Sequence, residues 1–542
     1  MPIALRAGLD RLPAEGQSSA FLGTRSVSTA TIEEMEETTP NYHLASNRSD
    51  SEAVDSNRPW RRTPQLSRRG YALAVLTVAA LILRLISLNS KGLWLDEAWS
   101  AYWAAETLRH LTKVFLQGAM NMALYHVILH WWSQLVGSSE ISLRLPSVIF
   151  ATATVPLIYA LGAELCDRRV GLMAALLLTV NVSCIQFAQQ ARSYAMVVML
   201  ATLFSLLFVQ CVKQGSLARY LAYTIAGTLC AYAHLFGVLM MASHYLALFL
   251  FPVDRKIRLR LTACLGAIGI LSLPLIITRV LGEHSQAAWI PATSAKSVFH
   301  LFTIFSGSGL YWGQVRGLGW VLLGIHLASI AIAVVAASEH ERPAIGFLLL
   351  SVLVPVTIVL LLSIFKPLFE DRYLLICLPF FIVLVARGIT RMKPRAVPVG
   401  IAVIIVALSL SEDRAFYNGS PLQDWRGATS FVAANAKPGD LLVVFPGYDV
   451  RPVEYYVSRL SPPPDLRVIT DEAPSKLKHK GFNSQNSNLS TFLAMHGVGS
   501  STRVWIMTDQ GHKDAPEVRA LEAGHQVAAE PRFARVNVVL VE

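Results

Sequence analysis

Apolar runs of membrane length, about eleven of them, constrain this chain more than any other feature of its sequence. A helix crossing the hydrocarbon core needs roughly 20 mainly apolar residues, because a backbone amide left unpaired in lipid costs several kcal/mol. By that rule spans are read near residues 71–89, 145–164, 170–187, 194–212, 218–234, 236–252, 261–280, 317–337, 344–365, 372–389 and 396–411. Composition agrees: 53% of the 542 residues are hydrophobic and 15% charged, with a mean hydropathy of +0.46. A water-soluble chain of this size does not show that balance. A polytopic α-helical membrane protein is the expected fold class.

The segments flanking the spans differ from them in composition. Residues 1–70 are rich in Ser, Thr, Glu, Asn and Arg, lack apolar periodicity, and read as a disordered cytoplasmic tail. No secretory signal peptide is read ahead of the first span, which stays as an anchor. Residues 71–412 form the transmembrane domain, and residues 413–542 read as a soluble α/β domain. Strands are predicted at Leu441–Phe445, Leu466–Thr470, Val504–Thr508 and Ala534–Val541, with helices near 424–436, 450–459, 488–497 and 515–523. The net charge of +11 does not point to nucleic acid, because the basic residues are spread over alternate short loops. By the positive-inside rule they put the N-terminus in the cytoplasm and the C-terminal domain outside. All six cysteines lie in or at the ends of apolar segments, so neither a disulfide framework nor a zinc cluster is implied.

Polar signatures interrupt the apolar sequence at what this topology makes the external face. Asp96-Glu97 follows the first span; Gln189-Gln190-Ala191-Arg192-Ser193-Tyr194 follows the third; Tyr232-Ala233-His234 follows the fifth; Lys366 and Glu370-Asp371-Arg372-Tyr373 precede the tenth. Charged groups at a membrane boundary are expensive to desolvate, and those facing a cavity mark substrate paths. Asp96 reads either as a general base or as a helix-capping acid, since carboxylates are favoured in a first helical turn. Arg192 and Arg372 read as phosphate clamps or as interfacial anchors, and two on the acid-bearing face favour phosphate. Trp94, Trp99, Tyr102 and Trp103 suit an aromatic belt or sugar stacking. Met120–Val136 reads as an interfacial helix, and its His126 and His130, four apart, have zinc-site spacing without the glutamate of H-E-x-x-H. A second external stretch, 283–316, reads as re-entrant or interfacial.

Several ordered segments resemble the GT-C class of polyprenyl-phosphate-sugar-dependent glycosyltransferases, in particular the bacterial relatives of protein O-mannosyltransferase and of lipid A aminoarabinose transferase. The segments are LRLISLNSKGLWLDEAWS, LYHVILHWWSQLVGSSEISLRLPSVIFATATVPLIYALG, QQARSYAM, YAHLFGVL, EDRYLLICLPFFIVLVARG and DWRGATSFVAANAKPGDLLVV, together running from about Leu83 to Tyr456. The resemblance implies a GT-C fold of about 11 transmembrane helices with a small soluble C-terminal α/β domain. It puts Asp96 at the catalytic acidic position with Glu97 its companion, and Arg192, Tyr194, His234, Arg372 and Tyr373 around the donor cavity. Where family members have His-Pro-Pro or Lys-Pro-Pro ahead of Leu-Tyr, this chain has Asn121-Met122-Ala123, which removes ligand and donor groups. A divalent metal is compatible with the acids, but no clear ligand set supports one, so the cofactor is undetermined. The implied activity is inverting transfer of a hexosyl or pentosyl group from a polyprenyl-phosphate donor to an envelope glycolipid, polysaccharide or protein. It would take place at the extracytoplasmic face of the inner (plasma) membrane, among membrane lipids. The rival class is a lipid or glycan transporter, which would carry midplane charges and paired broken helices.

Overall fold

The computed structural model describes residues 67–118, 120–281, 290–310, 314–315, 317–462, 464–470, 503–523 and 526–542. The N-terminal tail, the predicted helix near 488–497 and parts of the 283–316 stretch lie outside the described residues.

Each of the predicted spans coincides with helix. In chain order the helices are α1 (Arg68–Leu85), α2 (Leu95–Ala105), α3 (Leu108–Leu116), α4 (Ala123–Val136), α5 (Glu140–Leu165), α6 (Arg168–Val180), α7 (Val182–Ala188), α8 (Tyr194–Gln214) and α9 (Leu217–Ala233). They continue with α10 (Leu239–Ala247), α11 (Arg255–Leu281), α12 (Ala295–Ser306), α13 (Gly319–Val335), α14 (Arg342–Ser363), α15 (Leu378–Arg391) and α16 (Ala396–Asn418). Among the described residues, six of these helical stretches are by themselves long and apolar enough to cross a membrane, and α6 with α7 makes a seventh if counted as one bent span. The remaining predicted spans coincide with helices that are shorter or carry more charge.

The bend between α6 and α7 is 60° and has a readable cause. Asn181 interrupts the apolar run, and its side-chain oxygen accepts the Cys184 N–H at 3.0 Å, starting a new helix. Its amide donates to the Phe305 carbonyl at 3.0 Å, while Ser183 donates to Ile304 at 2.7 Å, so the end of α12 satisfies the break. On the other side Arg84 donates to the Leu178 and Thr179 carbonyls at 3.2 and 3.4 Å, covering the exposed end of α6. Beyond the bend, Gln189 donates to the Arg84 and Ile86 carbonyls, which ties the following loop to the end of α1.

Close helix contacts depend on small residues, as in membrane bundles generally. A Cβ at Gly388 of α15 would stand 1.8 Å from the Ser329 carbonyl oxygen of α13, and one at Gly171 of α6 would stand 2.3 Å from the Tyr159 carbonyl oxygen of α5.

After α16 the chain forms the small α/β domain. Helices α17 (Trp425–Asn435) and α18 (Val450–Val457) cover a sheet of β1 (Asp440–Val444), β2 (Leu466–Thr470), β3 (Val504–Asp509), β4 (Val527–Ala529), β5 (Arg532–Phe533) and β6 (Val536–Val541). The strand order is β2-β1-β3-β6-β4, with β5 also on β6. Strand β1 is parallel to both β2 and β3, whereas β6 is antiparallel to β3. Alternation decides the two faces: Leu441, Val443, Val504 and Ile506 pack outward under Val518, while Leu442, Val444, Trp505 and Met507 join the apolar core that continues into the bundle.

Overpacking at Gly388 cannot be relieved because the obstacle is backbone. Gly388→Ala should destabilise the protein by about 1–3 kcal/mol, read as a lower unfolding temperature in detergent, whereas Gly324→Ala, where a Cβ meets open space, should leave it unchanged.

Candidate active site

The first turn of α2 carries both acids, and their environments separate them. Glu97 is 1% exposed. Its Oε1 accepts from Arg144 Nε and from the Ala191 N–H, both at 2.8 Å, and its Oε2 accepts from Arg144 Nη2 at 2.7 Å and the Trp94 N–H at 3.4 Å. Arg144 uses its remaining donors on the loop before α2: Nη1 to the Leu88 and Lys91 carbonyls at 2.8 Å each, and Nη2 to Gly92 at 3.0 Å. The guanidinium thereby spends all five N–H groups, and both carboxylate oxygens of Glu97 are taken. Both oxygens of Glu97, expected from sequence as the companion of Asp96, are thus engaged within the protein.

Asp96, one residue earlier, is 27% exposed and points the other way. Its Oδ2 lies 3.4 Å from Arg192 Nη2 and 3.5 Å from Arg372 Nη1, so the carboxylate stands between two guanidinium groups. These contacts are looser than the buried Arg144 pair. Arg192 also donates to the Asp96 carbonyl at 3.3 Å. Its loop is fixed by Ala191 on Glu97, by Ser147 donating to the Arg192 carbonyl at 3.1 Å, and by Gln189, whose amide donates to Arg84 and Ile86. Arg372 opens the 3-10 segment Asp371–Cys377 ahead of α15, lies 5.5 Å from the Trp94 ring centre, and pairs through Nε with Glu370 at 3.0 Å.

The other predicted residues form a wall against these cations. Tyr194, fully buried, has Arg192 5.8 Å from its ring centre and His234 6.3 Å away. Tyr373 packs on His234 at 4.8 Å and has Arg372 at 5.8 Å. His234 Nδ1 accepts from the Phe236 N–H at 3.3 Å, which leaves its proton on Nε2. All seven predicted site residues therefore lie in one region. Lys366 is exposed at the surface. His126 is buried, and His130 faces the Ala104 carbonyl at 3.0 Å, so the two do not act as a pair.

Three groups escaped the sequence reading. Arg144 had the signal of an arginine entering an apolar run, where the nearest acid in sequence is Glu140, four residues before it. Glu370 was visible only as part of its motif; burial pushes its carboxyl up to about 7, with Asp371 and Asp96 adding to the rise and Arg372 opposing it. His300 of α12 lies 2.6 Å from Asp371, a pairing that no spacing could have revealed.

The donor set does not fit a divalent metal. Glu97 is consumed by Arg144, and Asp96 sits between two cations that would repel a metal ion. Among the described residues no group of three or more His, Cys, Asp or Glu side chains is arranged to share one. What the arrangement can do is receive an anion between two guanidiniums beside a solvent-reachable carboxylate.

Residues 123–279 match the protein family described as dolichyl-phosphate-mannose-protein mannosyltransferase. The structure is similar to that of ArnT from Cupriavidus metallidurans, solved in the apo state and bound to undecaprenyl phosphate. The TM-scores are 0.55 and 0.54 at 12% identity, over 88% of this chain and 98% of that one. It is also similar to the oligosaccharyltransferase of Archaeoglobus fulgidus, with a TM-score of 0.50 at 12% identity, over 82% of this chain and 70% of that one. No curated protein matches the sequence. At such identities the likeness is one of fold.

Removing Arg144 would strand a buried carboxylate. Arg144→Met should cost about 3–5 kcal/mol and Arg144→Lys somewhat less, since three ammonium donors replace five; thermal unfolding of the purified variants measures both. Unchanged unfolding in Arg144→Met would contradict the part given to this pair.

Proposed function

We propose that this chain, which has the fold of the GT-C membrane glycosyltransferases, moves a sugar from a polyprenyl-phosphate-linked donor to an acceptor of the cell envelope at the extracytoplasmic face of the inner (plasma) membrane. The acceptor is a glycolipid, polysaccharide or protein. In this reading the N-terminal tail of residues 1–70 is cytoplasmic and the α/β domain of residues 413–542 extracytoplasmic. The observation that carries the proposal is the Asp96 carboxylate held 3.4 and 3.5 Å from the guanidiniums of Arg192 and Arg372. A transporter would instead concentrate its charges near the midplane, and fold by itself does not separate the two.

The donor phosphodiester would occupy the two guanidiniums, for which Asp96 is the counter-anion in its absence. Arg192 and Arg372 then hold the phosphate, Tyr194, His234 and Tyr373 wall its pocket, and Glu97 positions the loop. Freed from its cations, Asp96 accepts the proton of the acceptor hydroxyl. The acceptor oxygen attacks the anomeric carbon from the face opposite the phosphate, the C–O bond to the phosphate breaks, and polyprenyl phosphate leaves with the electron pair. Configuration at the anomeric carbon inverts in this single displacement. The two arginines compensate the charge that develops on the leaving oxygen, an electrostatic contribution that acts in the transition state.

Glu370 gives the reaction a pH dependence. As pH falls through about 7 its carboxyl takes up a proton, which removes a negative charge beside the phosphate and releases Arg372 Nε. The donor phosphodiester does not titrate in that range, so the donor KM should be several-fold lower at pH 6 than at pH 8, and Glu370→Gln should hold it low at both. A pH dependence that survives in Glu370→Gln would assign it to another group.

The direct test is label transfer from a synthetic polyprenyl-phosphate sugar to envelope acceptors by the purified chain. Asp96→Asn should lower transfer by about 10²–10⁴-fold while donor binding is kept or tightened, since the anion competing for Arg192 and Arg372 is removed. Full activity in that variant would remove Asp96 from the mechanism.

A further inference from the structure

We infer that the C-terminal α/β domain sets the position of the loop that carries Asp96, with Gln423 and Tyr456 as positioning residues; as a statement about catalysis this rests on the function proposed above. Residues 86–94 are irregular backbone leading into α2, and buried backbone N–H groups in such a segment need partners. The residue at the cap position of α2 is Trp94, which supplies no capping oxygen to the first turn. The missing acceptors come from the far end of the chain. Leu95 N–H donates to Gln423 Oε1 at 3.0 Å across 328 residues, and Leu93 N–H donates to the Tyr456 hydroxyl at 2.6 Å across 363 residues. These two bonds flank Trp94, the cap residue of α2, so they set the angle at which α2 begins.

Each acceptor is itself fixed. Gln423 Oε1 also receives Trp425 Nε1 at 3.1 Å, and the Trp425 side chain is fully buried. The Tyr456 hydroxyl donates to Glu140 Oε1 at 2.5 Å, and Glu140 is ion-paired with Arg426, which donates in turn to the Asn89 carbonyl at 3.2 and 3.3 Å. Glu140 and Arg144 stand four apart on α5 and so share a helix face. The loop is thus gripped through its carbonyls by Arg144 and through its N–H groups by the α/β domain. The fit is tight, since a Cβ at Gly92 would lie 3.0 Å from both Arg426 Cβ and the Tyr456 hydroxyl. Along α2, Arg451 of α18 stacks 3.9 Å from the Tyr102 ring centre and 5.1 Å from Trp99, which extends the grip beyond the first turn.

The experiment uses the full chain in lipid nanodiscs with Tyr456→Phe, Gln423→Leu and Gln423→Glu. The last keeps the oxygen that accepts from Leu95 and is the rescuing variant. Amide hydrogen exchange over residues 86–100 is measured beside kcat and donor KM. Tyr456→Phe and Gln423→Leu should each speed exchange there by about two- to tenfold, the worth of one hydrogen bond, and lower kcat by a similar factor at unchanged donor KM. Gln423→Glu should restore both. Wild-type exchange and kcat in Tyr456→Phe and Gln423→Leu would overturn the inference, as would faster exchange spread over the whole chain, which marks a purely structural role. Local acceleration in a chain whose wild type transfers no sugar would keep the brace and refute the transferase reading instead.

Discussion

The arrangement at the end of the bundle that carries Asp96 depends on Arg144 spending every donor it has. Two of its N–H groups go to Glu97 and three to the carbonyls of Leu88, Lys91 and Gly92. A buried charge is tolerable only when paired and hydrogen-bonded, and this one is both. The pair ties three separate pieces of chain together, since Glu97 also takes the N–H of Ala191, next to Arg192. That carboxylate joins Ser147 and Gln189 in holding the loop from which Arg192 reaches within 3.4 Å of Asp96.

Two adjacent acids therefore do different work because α2 turns one inward and the other outward. Glu97 has no free lone pair, while Asp96 keeps a partly exposed oxygen between cations it touches loosely. The contact lengths differ accordingly, 2.7–2.8 Å for the inner pair against 3.4–3.5 Å for the outer set, and the proposal that a donor phosphate displaces Asp96 rests on that contrast. A ligand phosphate can compete for the second kind of contact and not for the first.

Much of this was legible in the sequence for physical reasons. Lipid forces backbone amides into helices, so apolar runs mark helices directly, and each predicted span coincides with one. The short apolar runs at Leu441 and Val504 read as strands because the centre of the sheet is buried on both faces, and the run at Leu466 because its Val468, Ile469 and Thr470 are β-branched. The convergence of Asp96, Arg192 and Arg372 followed from topology, since all three lie at span ends on one side. What stayed hidden depends on long-range pairing. Nothing near Arg144 in sequence reveals that its partner is 47 residues back, and nothing near Trp94 reveals a cap supplied by Gln423. The apolar runs behind α9, α10 and α13 fold into helices of 17, 9 and 17 residues, lengths that hydropathy alone does not set. Asn181 carried a signal that was read past: one amide inside an apolar run started a new helix and bent the path.

The most direct test of the central claim is an experimental structure of the full chain with a polyprenyl phosphate bound. The phosphate should sit within hydrogen-bond reach of both Arg192 and Arg372, with the Asp96 carboxylate turned away from them and Glu97 still held by Arg144. A phosphate bound elsewhere, with Asp96 still between the two guanidiniums, would contradict the account.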